Sequence, residues 1–73
     1  MEELVSYLIV YLLQADGTYL KEVYQLTREI SLVECMAFGE EHRNAIATYD
    51  DKANRWWLND KSGNDWFGHE CAK

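Results

Sequence analysis

Residues 4–28 read LVSYLIVYLLQADGTYLKEVYQLTR, and the way this stretch folds decides the architecture. Val5, Tyr7, Ile9, Tyr11 and Leu13 alternate with Ser6, Leu8, Val10 and Leu12, so a strand here is apolar on both faces. Asp16-Gly17 is a strong hairpin signal, because the two-residue type I′ turn needs positive φ at both central positions. Such a turn folds residues 4–13 onto residues 18–28 and sets Leu13 against Leu20, Tyr11 against Glu22, Ile9 against Tyr24 and Tyr7 against Leu26. The opposite face then gathers Leu12 with Lys21, Val10 with Val23, and Leu8 with Gln25. The first face carries the larger side chains and is expected to meet the core. A helix over residues 19–30 is the competing reading, since Leu20, Val23, Tyr24 and Thr27 also fit a 3.6-residue period.

Downstream, Ser31-Leu-Val-Glu34 has the capping-box pattern, in which the hydroxyl accepts from the N3 amide and Glu34 reaches back to the cap. Leu32, Cys35, Met36, Gly39, Arg43 and Ile46 then share one stripe of a helix ending between Ala45 and Tyr49. Gly39 costs about 1 kcal/mol of helix propensity against Ala, which suits a place where helix and sheet approach closely. Asp50-Asp51 opposes the dipole at the C-terminal end and marks a stop. Arg55–Leu58 and Asp65–Cys71 read as a second hairpin around the turn-rich segment Asn59–Asn64. The expected fold is a single α+β domain over residues 1–73, of ββαββ order. One antiparallel sheet of three or four strands carries one helix on one face, and Tyr7, Ile9, Tyr11, Leu26, Leu32, Met36 and Ile46 form the core.

The chain has 73 residues, 48% of them apolar, with three Trp, five Tyr and two Phe, which is the composition of a small globular domain near the lower size limit for a single core. Thirteen acids against seven bases leave a net charge of −6, which argues against direct binding to nucleic acid or an anionic membrane. The apolar run Leu4–Leu13 is too short to span a bilayer. It also lacks the positive flank of a signal peptide, because Glu2 and Glu3 precede it. A cytoplasmic location is therefore expected, and with it Cys35 and Cys71 as free thiols. The two would meet only if the last strand packs beside the helix.

No catalytic or nucleotide-binding motif is present, and no cofactor is implied. Cys35, His42, His69 and Cys71 are the residues from which a small metal- or thiol-dependent enzyme would have to be built. Cys35 and His42 lie seven residues apart, roughly 10.5 Å along a helix, which is awkward for one tetrahedral zinc. No third orienting group or oxyanion hole accompanies a Cys–His pair. The expected function is binding rather than catalysis.

Two modes of binding compete. Clustered carboxylates at Glu40, Glu41, Asp50 and Asp51 would imitate nucleic acid toward a basic groove, with steep salt dependence. Alternatively, one helix cannot cover both faces of the hairpin, so Leu8, Val10, Leu12 and Val23 would form an exposed patch, with Trp56 or Trp57 as an interface anchor. A two-fold homodimer, or a foreign protein, would cover that patch. Stacking of Trp56, Trp57 and Trp66 on single-stranded nucleic acid is disfavoured by the acids around them.

In size, acidity, hairpin-then-helix order and a Trp-rich strand near a C-terminal cysteine, the chain resembles small phage-encoded accessory proteins, in particular anti-defence inhibitors such as anti-CRISPR proteins. The resemblance implies a non-enzymatic protein that blocks a host defence or nucleic-acid-processing complex by binding it. It carries over no site residues, because such proteins share no common motif.

Overall fold

Residues 3–73 are described by a computed structural model, and the negative charge read at Glu2 lies outside them. Five strands and one helix follow in the order β1 (Leu4–Leu13), β2 (Tyr19–Ser31), α1 (Leu32–Ile46), β3 (Ala47–Asp50), β4 (Arg55–Leu58) and β5 (Asp65–Ala72). They make one five-stranded sheet of spatial order β2-β1-β5-β4-β3, with every pair antiparallel. The class is α+β, as the sequence suggests, with one strand more than expected. That strand, β3, follows directly from the helix and was not legible in its four residues. The tail hairpin joins the sheet by laying β5 against β1, so β1 is an interior strand paired on both sides.

The first hairpin forms, and residues 19–30 are strand rather than helix. Its register is one position away from that of a two-residue turn: Leu13 faces Tyr19, Leu12 faces Leu20, and Ile9 faces Val23. The reason lies in the loop. Gln14 N–H donates to the Thr18 carbonyl at 2.8 Å, and Gly17 N–H donates to the Gln14 carbonyl at 2.9 Å, which leaves Ala15, Asp16 and Gly17 as a three-residue connection. Gly17 takes φ +88° there, and the Asp16 carboxylate accepts from the Thr18 amide at 3.0 Å. A three-residue loop with glycine in the left-handed region is the next commonest hairpin solution. These bonds hold the Asp16 carboxyl below the usual carboxylate range, the Thr18 hydroxyl contributing most. Near Val5 the register shifts again, and Val5 faces Ile30.

The helix starts where the capping pattern predicts, with the Ser31 hydroxyl accepting from the Glu34 amide at 3.1 Å. It covers the face of β1 that carries Leu8, Val10 and Leu12, which Val5 joins across the register shift, so the core is Val5, Leu8, Val10, Leu12, Cys35 and Trp66. This corrects the expected core. Tyr7, Ile9 and Tyr11 lie on the other face and are only half-buried, while Leu26, Leu32 and Ile46 pack at the core's margin and Met36 is half-buried. Size was the wrong criterion. The two tyrosines carry hydroxyls whose burial under a helix without partners would cost on the order of 1–3 kcal/mol each. Leu8, Val10 and Leu12 carry no polar side-chain atom, so the helix settles on them.

Cys35 and Cys71 are bonded to each other, contrary to the expectation of free thiols. Register explains the encounter: Cys71 stands opposite Leu8 on β5, directly beneath the helix stripe that carries Cys35. One turn further on, Gly39 passes the His69 ring so closely that a Cβ at this position would overlap it. The His69 Nε2 lies 3.1 Å from the Met36 carbonyl, which fixes that ring against the helix. Gly39→Ala should therefore destabilise the fold by about 1–2 kcal/mol in urea unfolding. The gain of about 1 kcal/mol in helix propensity is outweighed by displacing a packed ring. An unchanged or raised midpoint would show that the ring yields freely.

Candidate functional site

The sheet has one covered face and one open face. Alternation along β1 points Tyr7, Ile9, Tyr11 and Leu13 away from the helix. On β2, the residues opposite them are Gln25, Val23, Lys21 and Tyr19. On β5, Ala72 faces Tyr7, Glu70 faces Ile9 and Gly68 faces Tyr11, and the pairing slips before Leu12 meets Trp66. The slip leaves Phe67 as an extra residue, and its ring meets the Tyr19 ring edge-on at 5.2 Å across the top of β1. Bulges of this kind re-aim side chains beside functional surfaces. Tyr19, Val23 and Phe67 are 60%, 55% and 62% exposed, so a contiguous strip of aromatic and aliphatic surface runs along three strands.

Polar groups on this face are few and placed. The Tyr11 hydroxyl donates to the Glu70 carboxylate in a short hydrogen bond. That acceptor, ahead of local burial and the carboxylate's charge, raises the Tyr11 phenol above its usual value. The phenol, protonated at neutral pH as any tyrosine is, commits its proton to Glu70. Lys21, the residue opposite Tyr11, has no ion-pair partner among the described residues. At the far end, buried Asp65 accepts from the Trp56 amide at 3.1 Å and pairs with Arg55 at 3.3 Å, which anchors β4 to β5.

Of the residues expected to bind a partner, Leu8, Val10 and Leu12 are 1%, 1% and 3% exposed. They are core residues and offer no docking surface, because the helix lies on their face rather than on the tyrosine face. Val23 is exposed on the open face; the shifted register places it beside Ile9 instead of Val10. The adjacent tryptophans separate as strand geometry requires. Trp56 packs against the core with the Arg43 guanidinium 4.0 Å above its ring, whereas Trp57 is 37% exposed and its indole donates to Asp50. Glu40 and Glu41 sit exposed on the helix, while Asp50 and Asp51 sit at the β3–β4 turn. Asp50 is engaged there, accepting from the amides of Lys52 and Ala53 and from Trp57, and these bonds hold its carboxyl below the usual range. The four acids do not form one patch on one element.

The residues considered for catalysis are otherwise occupied. The disulfide leaves neither cysteine as a thiolate. His42 lies edge-on between Tyr24 and Trp66, at 5.9 Å from each ring, and His69 is held to the Met36 carbonyl. Among the described residues no three His, Cys, Asp or Glu side chains converge as a metal site requires. A concavity of about 620 Å³ lies between α1 and β2, lined by Leu26, Ile30, Phe38 and Tyr24 with Glu41 and His42 among its polar groups. No helix among the described residues is long and apolar enough to cross a membrane.

Compared with known protein families, with curated proteins and with solved structures, the chain matches none.

Proposed function

We propose that the protein is a non-enzymatic binding module that docks other protein through the open face of its sheet. The observation that carries this reading is the single covering layer: α1 lies on Leu8, Val10 and Leu12, and no element among the described residues lies on Ile9, Tyr11, Val23, Tyr19 and Phe67. Exposed apolar surface that is contiguous and rimmed by polar groups is the mark of an interface on a small domain. Tyrosine and phenylalanine also supply large contact area at low conformational cost. The apolar mode is favoured over imitation of nucleic acid because the acids are dispersed and Asp50 is committed to its own turn.

Such a module acts by occupying its partner's surface. The disulfide bears on where it works, since these bonds persist in oxidising surroundings and are rare in the cytosol. This favours an oxidising compartment over the cytoplasm.

The test compares binding of the disulfide-intact protein with that of two variants. Val23→Asp combined with Phe67→Asp should abolish retention of its protein partner on an immobilised chain, whether that partner is foreign or a labelled copy of the chain. Glu40→Gln with Glu41→Gln and Asp51→Asn should leave it unchanged. Retention lost in the second variant and collapsing with salt would overturn the apolar reading in favour of acidic mimicry.

A further inference from the structure

We infer that the occupant of the open face is a second copy of this chain, related by a two-fold axis that runs along β1 between the two sheets. The inference rests on the open face being a docking surface. Two features of that face select a copy over a foreign partner. The first is its charge. The chain carries −6 overall, yet the central open face presents one cation, Lys21, and one anion, Glu70, on opposite sides of β1. A basic partner drawn by the overall charge would find no acidic excess here, whereas a copy finds its own complement.

The second feature is the placement of those two charges. Rotation about an axis parallel to β1 carries β2 of one copy over β5 of the other at the same height along the strand. Lys21 then lies above Gly68 of the second copy, where no side chain blocks it, one inward-facing position from Glu70. Sheets stacked face to face sit about 10 Å apart and nearly aligned, a gap that a lysine and a glutamate side chain together can bridge. Symmetry repeats the pair on the other side of the axis. An axis across the strands would instead lay β2 over β2 and leave both charges unmatched. The same rotation brings Tyr19 toward the partner's Phe67 and Ile9 toward its equivalent.

The rotation stacks β2, β1 and β5 of the two copies on one another and leaves β4 and β3 outside the overlap. Acids outside the face, such as Glu34, Glu40 and Glu41 on the helix, lie on the far side of the sheet. Their mutual repulsion is screened over about 8 Å at physiological salt.

Sedimentation equilibrium of the oxidised protein from low to high micromolar concentration tests the assignment, with circular dichroism confirming that each variant is folded. The wild type should sediment as a dimer, and Val23→Asp with Phe67→Asp as a folded monomer. Lys21→Glu alone and Glu70→Lys alone should each raise the dissociation constant roughly tenfold or more, since a matched pair becomes two like charges. Lys21→Glu combined with Glu70→Lys should return it to near the wild-type value. A wild type that stays monomeric, a dimer indifferent to Val23→Asp and Phe67→Asp, or a double charge swap that fails to restore association would each overturn the inference. Should a monomeric wild type retain a foreign protein that the Val23 and Phe67 variant releases, only the second copy is refuted. Retention indifferent to that variant refutes the docking face as well.

Discussion

Val10→Asp is expected to leave no cooperatively folded protein. Val10 lies at the centre of β1, 1% exposed, with Glu22 opposite on β2 and His69 opposite on β5. The substitution forfeits about 1.5–3 kcal/mol of aliphatic burial. It also places a carboxylate under the helix with no cation assigned to it. Burying an unpaired charge costs several kcal/mol even after relaxation, and protonating it instead still leaves a buried polar group to satisfy. The total equals or exceeds the stability of an ordinary small domain, which starts at about 5 kcal/mol. Circular dichroism should show no sigmoidal urea or thermal transition at pH 7. Val23→Asp, on the same hairpin but on the open face, should stay within about 0.5 kcal/mol of wild type when compared as monomers. A cooperative Val10→Asp variant within about 1 kcal/mol of wild type would place the core on the tyrosine face instead.

Loss of the Cys35–Cys71 bond should produce the second large effect. The bond closes a loop of 36 residues that holds most of α1 and all of β3 and β4. In the chain-entropy account, a loop of that length restricts the unfolded ensemble by about 4 kcal/mol. Reduction, or Cys35→Ala with Cys71→Ala, should therefore lower Tm by on the order of 15–25 °C for a domain of this size. The loss has a structural direction too. Cys35 is fully buried on the inner side of the helix, so the crosslink clamps α1 onto β5. Melting curves with and without a reductant measure the effect, and alkylation followed by mass spectrometry counts thiols in the untreated protein. Two alkylated cysteines without reductant, or a Tm shift of only a few degrees, would refute the clamp.

The open face and the clamp address different questions. The disulfide and the aliphatic core make 73 residues sufficient for a stable sheet-and-helix unit. Once they do, the tyrosine face is released from structural duty. A chain that must bury only one side of its sheet can place Tyr11, Glu70 and Lys21 where water or a partner meets them. The bulge at Phe67 serves the same end, turning an aromatic ring onto that side while Trp66 enters the core on the other.

Local patterns in the chain were sufficient for the elements themselves. The Ser31 cap, the helix ending near Ile46, the Asp16-Gly17 reversal and the paired strands around Asn59–Asn64 each depend on a few neighbouring residues. Gly39 could be read the same way, as a place of close approach, though not that His69 is what approaches. That the hairpin would leave one face uncovered was also legible, because ten alternating residues were apolar on both sides and one helix was available. Tertiary structure alone decided which face. The choice compared the cost of burying two tyrosine hydroxyls with the gain from burying Leu8, Val10 and Leu12, and periodicity is silent on that comparison. Only the assembled sheet set β5 beside β1, since pairing between strands more than fifty residues apart leaves no local trace. Cys35 and Cys71 met for that reason and no other, and Lys21 and Glu70 came to flank Tyr11 in the same step.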